Sequence, residues 1–381
     1  MSTPIIIIGN YMPDKQFSMQ IFEKLMAQGY SKSKCKVTVI RPAEVFRKLG
    51  FNNAGLIKWL GYVDKFFVFP LRLLLIRSVN LILFKSVNYH ICDHSNAFYL
   101  YFLPHNKTII TCHDVLAIRA GLGYADTYCY ATRSGRVLQR IILNALCGAQ
   151  KLAAVSDFTL NQLNEIDNKN ISHKKWITIH NALSGKFTPL AKDKILSILE
   201  KFPQLKDRRF LLHVGSDLER KNRKSLILII NELQHNWDGI LVLAGEKLNS
   251  ELMELIGKLN ISDRIVHIEN PNDTEIVALY SICEAMIFPS FSEGFGWPII
   301  EAQACGSPVI TSNKAPMMDE VGGVAALYAD PDDPQSFVKQ FQKFEDKNFR
   351  NKVVMLGYQN VKRFDYDNTI RQYIELIKKP A

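Results

Sequence analysis

The seven cysteines, Cys35, Cys92, Cys112, Cys129, Cys147, Cys283 and Cys305, include no C-x-x-C pair, and their number is odd. This argues against a disulfide framework or a structural zinc site and fits a reducing compartment. Long apolar runs are also missing. A membrane-spanning helix needs about 20 apolar residues in succession, and in the most apolar region the longest uncharged stretch is only Ser78–Phe84. The start, Met-Ser-Thr-Pro followed by Ile5–Ile8, lacks the basic beginning and longer apolar core of a secretory signal, so a cytoplasmic chain is expected. No G-x-G-x-x-G follows the first apolar run, which removes the usual sign of a dinucleotide cofactor.

What is present is apolar content of 47% spread over 381 residues, too much chain for one ordinary core. Short apolar runs alternate with helical patterns, which predicts βαβ units in two doubly wound parallel sheets, an α/β fold. Expected strands are 5–8, 36–40, 89–92, 108–112, 152–155 and 176–179, then 210–214, 240–243, 264–268, 285–288, 308–311 and 325–328. Pro189, Pro203 and a run of charges place a linker at 186–208. It would join a domain 1–185 to a domain 209–360, with 361–381 as a last helix returning to the first domain and a crevice between the domains. The charge of +10 is uneven: residues 1–180 hold 22 Lys/Arg and 10 Asp/Glu, net +12, whereas residues 181–381 hold 25 and 27, net −2.

Two motifs in the second half carry chemistry. The run 210–215 ends in Gly215 and is followed by Ser216, then Arg220-Lys221-Asn222 and an apolar helix. Adjacent cations ahead of a helix, at a strand's carboxyl end, suit a diphosphate. The second motif is Glu293-Gly294-Phe295-Gly296-Trp297-Pro298-Ile-Ile-Glu301, in which a strand enters a Gly-rich turn and Pro298 opens a helix. Gly294 and Gly296 let backbone amides approach a ligand, and the two carboxylates suit vicinal hydroxyls of a sugar and a ribose.

These runs, with Ala-Cys-Gly-Ser-Pro-Val at 304–309, Glu320-Val-Gly-Gly and Asp330-Pro-Asp-Asp, resemble the C-terminal signature of retaining glycosyltransferase family 4, which has the GT-B fold of two Rossmann-like domains. The resemblance covers about residues 108–340. It implies a metal-independent hexosyltransferase with no cofactor, using a nucleotide diphosphate sugar as substrate. Arg220 and Lys221 would hold the donor diphosphate, Glu293 would stand beside the donor sugar, and Glu301 would bind the ribose. Gly215, Ser216, Gly294, Phe295, Gly296 and Trp297 would line the donor. Ser216 departs from the family, where many relatives carry arginine at that position, so Arg220 and Lys221 would carry the clamp. The pattern is similar to bacterial mannosyltransferases of surface polysaccharide synthesis, which ranks GDP-mannose ahead of a UDP-sugar and a saccharide or lipid-linked saccharide as acceptor.

In the first half, Thr108-Ile-Ile-Thr-Cys-His113-Asp114 puts a histidine and an aspartate at a strand end, and this run resembles the family's His-Asp motif, whose histidine contacts the donor sugar. Gly9, Asp14 and Gln16, after the first strand, are acceptor-side candidates together with Asp114; helix capping is the alternative for Asp14 and Gln16. The D-x-D pairs Asp330/Asp332 and Asp365/Asp367 fall in a turn and a helix, so no metal site is expected. Residues 56–85 are basic and aromatic, with Lys58, Lys65 and Arg72 seven apart and a helix break expected at Pro70. They either cover the first sheet as amphipathic helices or dock on an anionic membrane at the inner face of the plasma membrane. Other classes weighed are a nucleotide-sugar epimerase or phosphorylase on the same fold, and a basic nucleic-acid-binding protein. The charge alone supports the last, without any recognisable motif, so no nucleic-acid partner is expected.

Overall fold

The computed structural model describes residues 4–49, 53–167, 174–183, 185–234 and 236–379. The twelve expected strands all form, shifted at most by a residue or two at their ends. The first six are β1 (Ile5–Ile8), β2 (Val37–Ile40), β3 (Asn88–Ile91), β4 (Thr108–Cys112), β5 (Lys151–Ala154) and β6 (Lys175–Thr178), parallel in the order β2-β1-β3-β4-β5-β6. The second sheet holds β7 (Phe210–Gly215), β8 (Ile240–Gly245), β9 (Ile265–Glu269), β10 (Ala285–Phe288), β11 (Val309–Ser312) and β12 (Leu327–Ala329), in the order β12-β11-β10-β7-β8-β9. Central strands such as β4 and β10 are buried along their whole length, as a parallel sheet covered on both faces requires. In each sheet the strand order reverses once, between β1 and β3 and between β7 and β10. Loops beyond the carboxyl ends of those strands are where open α/β sheets bind ligands.

The chain forms two compact units, one of residues 1–123, 130–180 and 367–381, the other of 124–129 and 181–366. The segment 186–208, expected as a linker, belongs to the second unit and contains the helix Lys192–Leu199. Its apolar residues fall at helical spacing between the two prolines, which puts Ile195 in the core and packs the helix on another, Asp273–Ile282. The last helix, Tyr366–Lys378, joins the first unit from Asp367 onward. There Thr111 donates to the hydroxyl of buried Tyr373 at 3.1 Å, and Lys151 donates to the Ile377 carbonyl at 2.8 Å.

No break occurs at Pro70. Helix Ala54–Val63 continues through a π-helical stretch, Asp64–Val68, into helix Phe69–Ile82. A proline ring clashes with the carbonyl four residues earlier, here Phe66, and the wider π turn holding Phe66 accommodates it. The extra residue per turn also shifts the register. Lys65, expected in one stripe with Lys58 and Arg72, instead pairs with Asp14 at 2.9 Å and lies over the Tyr62 ring. Asp64, the only acid of the stretch, is fully buried, accepting from the Tyr11 hydroxyl and from the backbone amides of Val45, Phe46 and Arg47.

Candidate functional site

At the strand-order reversal of the second sheet, the loops after β7 and β10 bring three charged side chains together. Lys221 lies 2.7 Å from Glu293 Oε1, and Arg220 pairs with Glu293 Oε2 while donating to the Ser292 carbonyl at 3.3 Å. Phe291 donates its N–H to the Arg220 carbonyl at 2.8 Å, so backbone as well as side chains joins the two loops. Glu293 and Lys221 are both buried. Burial alone would raise the Glu293 carboxyl, but Arg220 and Lys221 outweigh it and hold it down to about 2. Burial pushes the Lys221 ammonium down, and Glu293 offsets part of that. Lys221 also sits 4.8 Å from the centre of the Phe288 ring, a cation–π contact.

Two residues not assigned a role from the sequence fix this arrangement. Asn222 adopts a left-handed conformation, accepts the Ser225 N–H to cap the following helix, and donates to the carbonyls of Pro289 and Pro331. Arg223 is buried; it donates to the Gly215 carbonyl at 2.6 Å and to the Glu246 carbonyl at 2.8 Å, tying together the ends of β7 and β8. Gly215 therefore ends its strand with its carbonyl engaged, and half-buried Ser216 begins the loop. The signal for Arg223 lay in the run Arg220-Lys221-Asn222-Arg223, but sequence does not reveal which cation turns inward.

The turn after β10 carries Gly294 and Phe295, whose buried ring meets Phe364 edge-on at 5.5 Å. Gly296 has φ of +114° at the start of helix Trp297–Ala304, a conformation that side chains strain. The Trp297 indole donates to the Ala182 carbonyl at 3.2 Å, which makes that side chain structural. Glu301 lies on this helix, one turn beyond its start, and accepts from the Tyr280 hydroxyl at 3.4 Å. Burial pushes its carboxyl up to about 7. Residues 124–129 also belong to this unit, and Tyr128 stacks on Phe291 at 4.4 Å.

The first sheet's strand-order reversal gathers a different set. Buried Asp93, just past β3, accepts from Asn10 at 2.5 Å and from the Ser95 N–H at 2.8 Å. Asn10 also donates to Gln16 and accepts from Asn96 at 2.9 Å. His113, at the end of β4, contacts the Cys92 carbonyl through Nε2 at 2.9 Å, and its N–H donates to His94 Nδ1 at 3.3 Å. Burial lowers the His113 pKa, outweighing Asp93, so the ring is neutral at pH 7. His94 Nε2 stands 3.9 Å from Asp114, whose carboxylate also accepts the Leu116 N–H. Of the acceptor-side candidates, Gln16 and Asp114 thus join this network. Asp14 is instead ion-paired to Lys65, and Gly9 makes room for a carboxylate: a Cβ there would lie 1.7 Å from Glu23 Oε2. Asn10, Asp93, His94 and Asn96 were not singled out from the sequence, where nothing distinguishes them from ordinary polar loop residues.

Residues 196–363 match the family described as glycosyl transferases group 1. The chain is 27% identical to O-antigen chain mannosyltransferase B of Escherichia coli over 73% of its length and 72% of that protein's. It is 32% identical to O-antigen chain mannosyltransferase RfbU of Salmonella typhimurium over 42% of its length and 47% of that protein's. Sucrose-phosphate synthase from Thermosynechococcus elongatus superposes with a TM-score of 0.74 at 16% identity, covering 98% of both chains. Two parallel sheets with their loops gathered at the strand-order reversals, and the Arg220-Lys221-Glu293 cluster inside the matched region, agree with these likenesses: the fold is that of the GT-B glycosyltransferases, and residues 196–363 match glycosyl transferases group 1.

Proposed function

We propose that the protein transfers a hexose, with retention of configuration and without a metal, from a nucleotide diphosphate sugar to a saccharide or lipid-linked saccharide at the inner face of the plasma membrane. The observation that carries this is the convergence of Arg220 and Lys221 on Glu293 where the second sheet reverses its strand order. Two cations fixed there meet the charge that builds on a departing diphosphate, and such preorganised charge is usually the largest contribution to catalysis. The bond from the anomeric carbon to the phosphate oxygen breaks while the acceptor oxygen bonds to the same face of that carbon. The acceptor's proton passes to the departing diphosphate, so no protein base is required. Glu293 is held ionised by its two cations and suits hydroxyls of the sugar; Glu301 suits those of the ribose. The D-x-D aspartates act locally: Asp330 accepts the Asp332 N–H, and Asp367 lies in the first turn of the last helix.

GDP-mannose is the first donor to test and UDP-sugars the next, a ranking supported by the mannosyltransferase names of both relatives. Screening GDP-mannose, UDP-glucose, UDP-GlcNAc and UDP-galactose with and without acceptor tests the reading. Sugar transfer from one donor is expected; epimerised donor without acceptor would support the epimerase alternative. Membrane docking through residues 56–85 is the remaining element, and it is supported by their basic, apolar exposed surface. Among the described residues no helix is long and apolar enough to cross a bilayer.

A further inference from the structure

The helix Phe69–Ile82 buries only Phe69, Pro70 and Leu73. At 100° per residue, Leu71, Leu74, Leu75, Val79, Leu81 and Ile82 fall on one arc of roughly 160°, with Ser78 as its only polar member. All six are exposed, Leu75 at 67% and Ile82 at 72%. Arg72 and Arg77 flank the arc on its two sides, and buried Phe69 and Leu73 lie behind it. An outward apolar arc edged by cations on both sides is the arrangement of a helix lying in a bilayer interface, its apolar side chains among acyl chains and its arginines at the phosphates.

A second helix, Arg133–Cys147, supplies what the first has little of. It contains no acid, and Arg133, Arg136 and Arg140 follow one another along one exposed stripe, at spacings of three and four. None of the three has a carboxylate partner among the described residues. Arg133 and Arg136, at the start of the helix, oppose its dipole, an arrangement that an external anion relieves. Both helices pack against the segment His94–Phe102. The connections β2 to β3, β3 to β4 and β4 to β5 all step the same way across the sheet, so right-handed crossovers put these elements on one side of it.

We infer that this side of the first unit is a docking surface for an anionic phospholipid bilayer, in which the Phe69–Ile82 helix inserts its apolar arc and the Arg133-Arg136-Arg140 stripe binds lipid phosphate. The inference rests on the membrane reading above and deepens it. It moves the main anionic contact to a helix outside residues 56–85, and it leaves Lys65 out.

The test is flotation of the full chain with vesicles of phosphatidylcholine alone or mixed with phosphatidylglycerol. Wild type should float only with the anionic vesicles. The R133Q/R136Q/R140Q variant should bind them roughly 10²-fold more weakly, since each surface cation contributes a factor of about five. L75N/V79N/I82N should also lose binding, and K65Q should keep it; circular dichroism and the melting temperature establish that each variant is folded. Absence of wild-type binding overturns the membrane reading itself. Binding that survives the triple arginine change but falls with K58Q/R72Q/R77Q leaves that reading standing and overturns the role of the Arg133 helix. A wild-type dimer in sedimentation that the asparagine variant dissociates, without vesicle binding, assigns the apolar arc to a second copy instead.

Discussion

The two units share a fold and differ in what they collect at the strand-order reversal. The second places two cations around one carboxylate, Arg220 and Lys221 on Glu293. The first gathers neutral and acidic polar groups, Asn10, Asp93 and His113, with no lysine or arginine among the contacts described for them. Net charge along the chain is distributed the other way: the basic excess lies in residues 1–180, net +12, while residues 181–381 are net −2. Positive charge is gathered around one buried carboxylate in the second unit, whereas the arginines of the helix Arg133–Cys147 in the first lie exposed along its surface. Net charge alone points away from the half that holds the Arg220-Lys221-Glu293 cluster.

The largest expected effect tests the cationic side of that contrast. Lys221→Ala or Arg220→Ala should lower turnover by about 10²-fold or more, as loss of a preorganised charge does; near-normal kcat in both variants removes the clamp. The same changes should leave acceptor KM within a few-fold, whereas Asn10→Ala should raise acceptor KM by about tenfold, the worth of one buried hydrogen bond, and leave donor KM alone. If Asn10→Ala moves donor KM instead, the division of labour between the units fails.

A comparable change should come from pH. Glu301 titrates at about 7 in the folded protein, and its ionised form accepts hydroxyl protons better. Donor affinity should therefore rise about tenfold between pH 6 and pH 8 and become flat in Glu301→Gln, as isothermal titration would show. Stability has the opposite sign at this residue. The folded state holds its proton above the ordinary carboxyl value of 4.5, so stability falls as pH rises from there to about 7. Glu293, held at about 2, behaves inversely: its contribution is complete above 4.5 and is lost as pH falls toward 2. Acid melts of Glu293→Gln and wild type should therefore converge at low pH. The smallest expected effect is none: exhaustive chelation by EDTA should leave the rate unchanged, and loss restored by Mn²⁺ would put a metal in the clamp's place.

The strands were legible in sequence because buried parallel strands are short apolar runs, and Ile5–Ile8 and Thr108–Cys112 coincide with expectation at both ends. The grouping of Arg220, Lys221 and Glu293 was legible because these residues sit in two compact motifs at strand ends. The network around Asp93 was not, because it joins residues 83 positions apart, Asn10 and Asp93, through a strand order that local pattern does not encode. Lys65 escaped for another reason: a π-helical turn changes the period on which its seven-residue spacing relied.

The return of the last helix to the first unit makes residues 181–366 an insertion within a single folding body. A fragment ending at residue 180 would lack Tyr373, whose ring lies 5.2 Å from His90 and whose hydroxyl meets Thr111 on β4, the strand that leads to His113. Removal of residues 367–379 is thus a lesion of the amino-terminal sheet. Two separately expressed pieces would need residues 367–379 added back in trans to restore it.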